Sequence, residues 1–260
     1  VVTGGQDTKF GVDISNIDRV KEVLKKYDLT LVGINQHIGS LFMESTPYIE
    51  SLNSIFNIAK QFENLEFIDL GGGFGIPYNK QSGETRLNLE LLGQELDKAI
   101  NLFVKDYGKE INIQVEPGRY IVAESCVLLG TVHTIKQSYN KTYIGTDLGF
   151  NVLQRPVLYD AHHDIEVYHK NPDQTNEDSH NQEVTIVGNI CESGDILAKN
   201  RLMPSIFERD ILGVMDAGAY GFSMASNYNN RLRPSEVLIT SDGNHREIRK
   251  RDTFEDLVRH

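Results

Sequence analysis

Three short apolar runs constrain this chain most, because each ends in a polar or glycine-bearing motif and is joined to the next by a helical segment. Leu31-Val-Gly-Ile34 leads into His37-Ile-Gly-Ser40, and Leu65-Glu-Phe-Ile-Asp-Leu70 into Gly71-Gly-Gly-Phe-Gly75. Ile111-Asn-Ile-Gln-Val115 leads into Glu116-Pro-Gly-Arg119. Between them, Pro47 opens a stretch with Ile49, Leu52, Ile55, Phe56 and Ala59 on one face, and Leu89, Leu92, Leu96, Ile100 and Phe103 mark another. Ile17, Val20, Val23 and Leu24 predict a helix ahead of the first run, with Ser15 as its cap. A β-α-β-α-β order predicts parallel strands with helices outside. The three motifs then fall at the C-terminal strand ends, where β/α barrels place their chemistry.

The second half changes character. Residues 127–135, 142–146, 184–187, 210–215 and 237–240 read as short strands without intervening helices, closed by a short helix at 253–258. The expected organisation is part of a β/α barrel over residues 1–123 and a mostly antiparallel β domain over 124–260. The polar stretch from Lys170 to Asn181 reads as a mobile surface loop.

Composition excludes several classes of partner. The net charge is −11, from 37 acidic against 26 basic residues, so neither a nucleic acid nor an anionic membrane surface is expected to bind. Apolar runs such as Cys126-Val-Leu-Leu-Gly-Thr-Val132 are too short to span a bilayer. Two cysteines, Cys126 and Cys191, make neither a disulfide framework nor a zinc cluster, which fits a reducing cytoplasm.

The glycines Gly71, Gly72, Gly73 and Gly75 let backbone N–H groups approach an anion, although the spacing is not a dinucleotide fingerprint. Glu116-Pro117-Gly118-Arg119 reads as a buried acid–arginine pair. Its carboxylate could keep a heteroaromatic ring nitrogen protonated, and its guanidinium could clamp a phosphate or carboxylate. Taken alone, a surface ion pair in a Pro-Gly turn is the commoner reading. His37 could stack on a flat cofactor, with Ser40 reaching a phosphate. Cys191 lies beside Glu192 and Asp195, carboxylates that raise a thiol's pKa; this suits a proton donor better than a thiolate nucleophile. Arg155, Tyr159 and Tyr220 add anion-binding and hydroxyl groups. The adjacent His162 and His163 point apart on an extended chain, and no metal site is expected.

Taken together, these motifs resemble the alanine-racemase-like (fold type III) pyridoxal-phosphate decarboxylases. The resemblance runs nearly end to end, from Thr3-Gly-Gly and Lys9-Phe-Gly11 through the motifs above to Cys191-Glu-Ser-Gly-Asp195. It continues through Gly218-Ala-Tyr-Gly-Phe-Ser-Met-Ala-Ser-Asn-Tyr-Asn229 to Arg233-Pro-Ser-Glu-Val-Leu238. It implies that His37 packs on the pyridine ring and that Glu116 pairs with the pyridinium nitrogen. Ser40, the glycine turn and the Glu116–Arg119 turn would hold the phosphate, with Tyr220 near it. Cys191 would be the catalytic acid that returns a proton after CO2 leaves, acting in a neighbouring subunit's site, so a homodimer with shared active sites is expected. Arg119, Arg155, Tyr159, Glu192 and Tyr220 match the family's substrate contacts.

The substrate is then an amino acid. Diaminopimelate carries a second amino-acid head, which needs cations for its carboxylate and an acid for its ammonium. Arg119, Arg155 and Glu192 supply both. Relatives acting on ornithine typically have aspartate after the cysteine where this chain has Glu192; arginine and carboxynorspermidine remain alternatives, as does a non-catalytic ligand-binding relative. One departure stands out. The family's cofactor-bearing lysine lies on an early barrel strand, and Lys9, Lys60 and Lys136 are not in that context. Because the chain opens on Val1-Val-Thr without an initiator methionine, the expectation is a portion of a longer protein that would not hold the cofactor covalently by itself. Half a barrel would also expose strand edges, favouring aggregation or pairing.

Overall fold

A computed structural model describes residues 9–171 and 181–259. The Thr3-Gly-Gly motif and residues 172–180 of the expected loop lie outside the described residues. The chain divides into two units, Val1–Pro77 with Gly83–Ile121, and Tyr78–Ser82 with Val122–His260.

The first unit has the β/α order read from the sequence. Its helices are α1 (Ile17–Lys26), α2 (Thr46–Ala59) and α3 (Leu89–Tyr107). The strands β1 (Gly33–Asn35), β2 (Phe67–Asp69) and β3 (Asn112–Gln114) form a parallel sheet in that order. Asn35, Asp69 and Gln114 stand in register across it, so all three strands end level. The Phe67 ring packs over its register partner Gly33 on the adjacent strand, where a Cβ would lie 2.1 Å from it. Tyr48, Leu52, Ile55, Phe56 and Ala59 bury one face of α2 against Leu65, Ile68, Leu70 and Phe74. Phe56 stacks on Phe103 with centroids 4.1 Å apart, which ties α2 to α3. Asn88 caps α3 by accepting from Leu91 N–H, and left-handed Gly108 ends it. The entry to α1 differs from the expectation: Asp13, not Ser15, is the capping side chain, accepting from Ser15 N–H at the head of a short 3-10 turn. A carboxylate outcompetes a hydroxyl as an acceptor, and it draws the Ser15 hydroxyl as well.

The second unit is mostly β. A short α4 (Gly118–Val122) spans the boundary between the units at Ile121, and β4 (Leu128–Ser138), β5 (Lys141–Thr146), α5 (Arg155–Tyr159) and β6 (Ile165–Tyr168) follow it. Then follow β7 (Gln182–Val187), β8 (Ile196–Met203) and β9 (Ile211–Val214). The six strands order β6-β9-β4-β5-β7-β8, antiparallel throughout except where β5 meets β7. Val132, Ile144, Leu153, Ile165, Ile186 and Leu212 form its core. A hairpin of β10 (Glu236–Ile239) and β11 (His245–Arg249) precedes α6 (Phe254–Val258), which Thr253 and Asp256 close as a reciprocal capping box. The sequence reading omits β6, β8, β11, α4 and α5. No helix among the described residues is long and apolar enough to cross a membrane.

Candidate functional site

In the first unit, three loops leave the level ends of β1, β2 and β3 and lock into one another. Gln36 N–H donates to Asp69 O, Leu70 N–H to Gln114 O, and Glu116 N–H to Gly71 O, at 2.9–3.0 Å. The glycines permit this approach. A Cβ on Gly71 would lie 2.2 Å from Gln36 O, one on Gly72 2.3 Å from Glu116 O, and one on Gly73 2.3 Å from Gly39 O. Gly71 and Gly73 also hold φ of +70° and +95°, values that side-chain-bearing residues rarely adopt. The glycines therefore serve first to nest neighbouring backbones, a role the sequence reading did not assign to them.

Side chains gather on this nest. His37 is exposed, and its Nδ1 accepts from Gly72 N–H at 3.3 Å, which leaves the ring's proton on Nε2 when neutral. Arg119 donates from Nη2 to Ser40 Oγ at 3.1 Å, joining the first and third loops. Asp69 accepts from Gly71 N–H at 2.9 Å. The buried acid–arginine pair expected from Glu116 and Arg119 is not found as such: Glu116 is exposed and Arg119 only half-buried, reaching Ser40. The reason is geometric, since Gly118 opens α4 and carries Arg119 onto a helix while Glu116 stays with the strand end. A Cβ on Gly118 would meet nothing. Pro117 is half-buried between them. Tyr48, which the sequence reading does not single out, lies within the field of this cluster. Its hydroxyl is buried without a hydrogen-bond partner among the described residues. Burial, then the charges of Asp69 and Glu116, push its pKa well up, so it stays protonated.

The second unit holds the remaining candidates. Cys191 is exposed in a turn after β7, and Asn229 donates from its amide to Sγ at 3.2 Å. Asp195 is buried and braces that turn, accepting from Ile190 N–H at 2.9 Å and Phe150 N–H at 2.7 Å. Burial raises its carboxyl pKa, opposed by those two N–H donors and by the charge of Arg231. Glu192 is exposed, accepting from Gly194 N–H at 3.4 Å. Tyr220 is half-exposed at a left-handed φ of +58°. The turn before it needs Gly218, whose Cβ would lie 1.9 Å from Val122 O. Arg155 and Tyr159 share α5 but differ sharply. Arg155 is 3% exposed and Tyr159 47%. Arg155 lies over the Tyr78 ring at 4.1 Å and contacts His163 Nε2 at 2.7 Å.

Sequence reasoning missed the polar network around Lys80. Lys80 Nζ bridges Asp216 at 2.8 Å and Glu124 at 3.1 Å, while Asp164 accepts from the Lys80 and Gln81 N–H groups. Burial alone would lower the Lys80 pKa, but the hydrogen bonds and charges of Asp216 and Glu124 outweigh it and raise it. The only sequence signal was the His162-His163-Asp164 run.

Comparison with known proteins defines the class. A family described as "Pyridoxal-dependent decarboxylase, pyridoxal binding domain" matches residues 1–123, and "Pyridoxal-dependent decarboxylase, C-terminal sheet domain" matches residues 102–218. The chain belongs to this family, with part of a parallel β/α barrel followed by a sheet domain. It is 39% identical over 264 residues to the diaminopimelate decarboxylase of Methanothermobacter thermautotrophicus, covering 99% of this chain and 60% of that protein. A crystal structure of diaminopimelate decarboxylase superposes with a TM-score of 0.88 at 32% identity, over 99% of this chain and 62% of the other. The Helicobacter pylori diaminopimelate decarboxylase complexed with L-lysine gives 0.84 at 33% identity, over 99% and 61%. The chain thus spans about three fifths of the length of the relatives it matches.

Proposed function

We propose that this chain supplies the phosphate-binding and substrate-reading parts of a pyridoxal-phosphate-dependent enzyme that decarboxylates meso-2,6-diaminopimelate to L-lysine and CO2. The observation that carries the reading is the convergence of His37, Ser40, the glycine turn, Glu116 and Arg119 at the ends of three parallel strands. These residues fit the cofactor. The Ser40 hydroxyl and Arg119 guanidinium, already hydrogen-bonded to each other, offer charge-assisted donors to a phosphate beside the Gly71, Gly72, Gly73 and Gly75 backbone. His37, fixed by Gly72, offers a flat face for the ring, and the exposed Glu116 carboxylate can keep a ring nitrogen protonated. Pro117 and Gly118 set the turn that separates Glu116 from Arg119. When bound, pyridoxal phosphate supplies the electron sink for the pair left as the Cα–carboxylate bond breaks.

The other roles belong to this chain's side chains. Cys191, exposed and oriented by Asn229, returns a proton to Cα, acting in the site of a second copy in a homodimer. Arg119 and Arg155 recognise the distal carboxylate, Glu192 the distal ammonium, and the Tyr159 and Tyr220 hydroxyls complete the contacts. We place the domain junction between residues 123 and 124. The two free cysteines suit a reducing, cytoplasmic setting. The test is CO2 and L-lysine release by the product of the complete coding sequence. Diaminopimelate should exceed ornithine and arginine in kcat/KM by at least about a thousandfold, because those substrates leave the distal carboxylate's partners unpaired. Equal use of ornithine would overturn the substrate; binding of the cofactor with no CO2 from any of the three would overturn the activity.

A further inference from the structure

The histidine that the sequence reading sets aside is the most enclosed titratable group beside a proposed substrate residue. His163 is 1% exposed, with Nε2 2.7 Å from Arg155 Nη1 and Nδ1 2.7 Å from the Met215 carbonyl oxygen. The chemistry of the two partners fixes the ring between them. A guanidinium has five N–H donors and no acceptor, and it stays protonated; a carbonyl oxygen only accepts. His163 must therefore accept at Nε2 and donate at Nδ1, which is the neutral Nδ1–H form. A protonated ring would aim an N–H at the N–H of a cation.

A third wall comes from far away in the chain. The Tyr78 ring lies 4.1 Å below the Arg155 guanidinium carbon and meets the His163 ring edge-on at 5.1 Å. Around this trio, Arg201 Nη2 donates to the His163 carbonyl at 3.2 Å. Asp164 accepts from the Lys80 and Gln81 N–H groups and pairs with His162, and its charge also acts on Arg201. Because a guanidinium is rigid and planar, fixing Nη1 against His163 and the face against Tyr78 fixes the direction of every other N–H.

We infer that His163, as the neutral Nδ1–H tautomer, is the positioning residue that holds Arg155 in the one orientation able to read the substrate's distal carboxylate, with Tyr78 as the opposing wall. The inference rests on the substrate role proposed for Arg155. It predicts a cost in substrate binding rather than in bond breaking, since the distal head is remote from the reacting carbon.

The test uses the complete holoenzyme. His163→Leu, which cannot accept from Arg155, should raise KM for diaminopimelate about tenfold or more while kcat changes by less than about threefold. His163→Gln, which restores an acceptor, should recover most of the loss. A His163→Leu enzyme with KM within twofold of the parent, or one losing kcat with KM unchanged, overturns the inference. Arg155→Lys separates the two readings. If Arg155→Lys raises KM and His163→Leu does not, the inference alone fails; if neither does, the substrate role of Arg155 fails with it. Nitrogen-15 NMR of the histidine rings in the parent protein reads the tautomer without any variant. A His163 ring protonated on Nδ1 alone at neutral pH supports the inference, and an Nε2–H or doubly protonated ring overturns it.

Discussion

The glycine nest of the first unit and the polar network of the second hold their functional groups by opposite means. The nest is made of backbone: Gly71, Gly72 and Gly73 admit carbonyl oxygens to within 2.2–2.3 Å of where a Cβ would stand, and the side chains are added on top. The network is made of side chains. Lys80, Asp216, Asp164, His163 and Arg155 are drawn from three distant stretches of the chain into one cluster, with backbone groups of Lys80, Gln81 and Met215 serving as partners to their side chains. Backbone nesting is intolerant of any added atom but indifferent to charge. An ionic network tolerates changes of shape and depends on protonation.

Breaking the nest should have the largest effect. Gly73→Ala places a methyl group 2.3 Å from Gly39 O at a φ of +95°, and should cost about 3 kcal/mol or more, or prevent folding. Urea denaturation followed by circular dichroism measures this. A loss below about 1 kcal/mol would mean that the three loops are looser than the close approaches imply.

The network should yield less and show pH dependence instead. Asp216 is buried and Lys80 is partly exposed, so Asp216→Asn should cost about 1–2 kcal/mol at neutral pH, below the value for a fully enclosed pair. The sign with pH follows from Lys80, whose pKa is raised in the folded protein above its ordinary 10.5. Its contribution is complete below 10.5 and is lost as pH climbs through the higher folded value. Thermal midpoints should therefore fall on the alkaline side more steeply in the parent than in Asp216→Asn. Parallel curves would show that Lys80 and Asp216 are not energetically linked.

The same contrast explains what was legible in the sequence. The nest could be read because its parts are contiguous motifs at strand ends, where apolar runs stop and glycine or charge begins. The network could not, because the partners of Lys80 lie at positions 124 and 216 and nothing local announces them. Strand β8 was missed for a related reason. Lys199, Asn200 and Arg201 interrupt it, and register irregularities against β7 put Leu197 and Ala198 both inside, erasing the alternation that marks a strand. The hairpin strand β11 has Ile248 as its single apolar residue, so no hydrophobic pattern was available. Glu116 and Arg119 were identified as site residues, but the helix that carries Arg119 away from Glu116 is only five residues long and has no periodicity to read.

The central claim is that the nest, with Ser40 and Arg119, is built for a phosphate. Equilibrium dialysis of the complete protein against pyridoxal 5'-phosphate and against pyridoxal tests it most directly. The phosphorylated form should bind about a hundredfold more tightly, in keeping with two charge-assisted hydrogen bonds, and the Ser40→Ala/Arg119→Ala double variant should lose most of that preference. An equal affinity for both forms in the parent, or an undiminished preference in the double variant, would contradict the account.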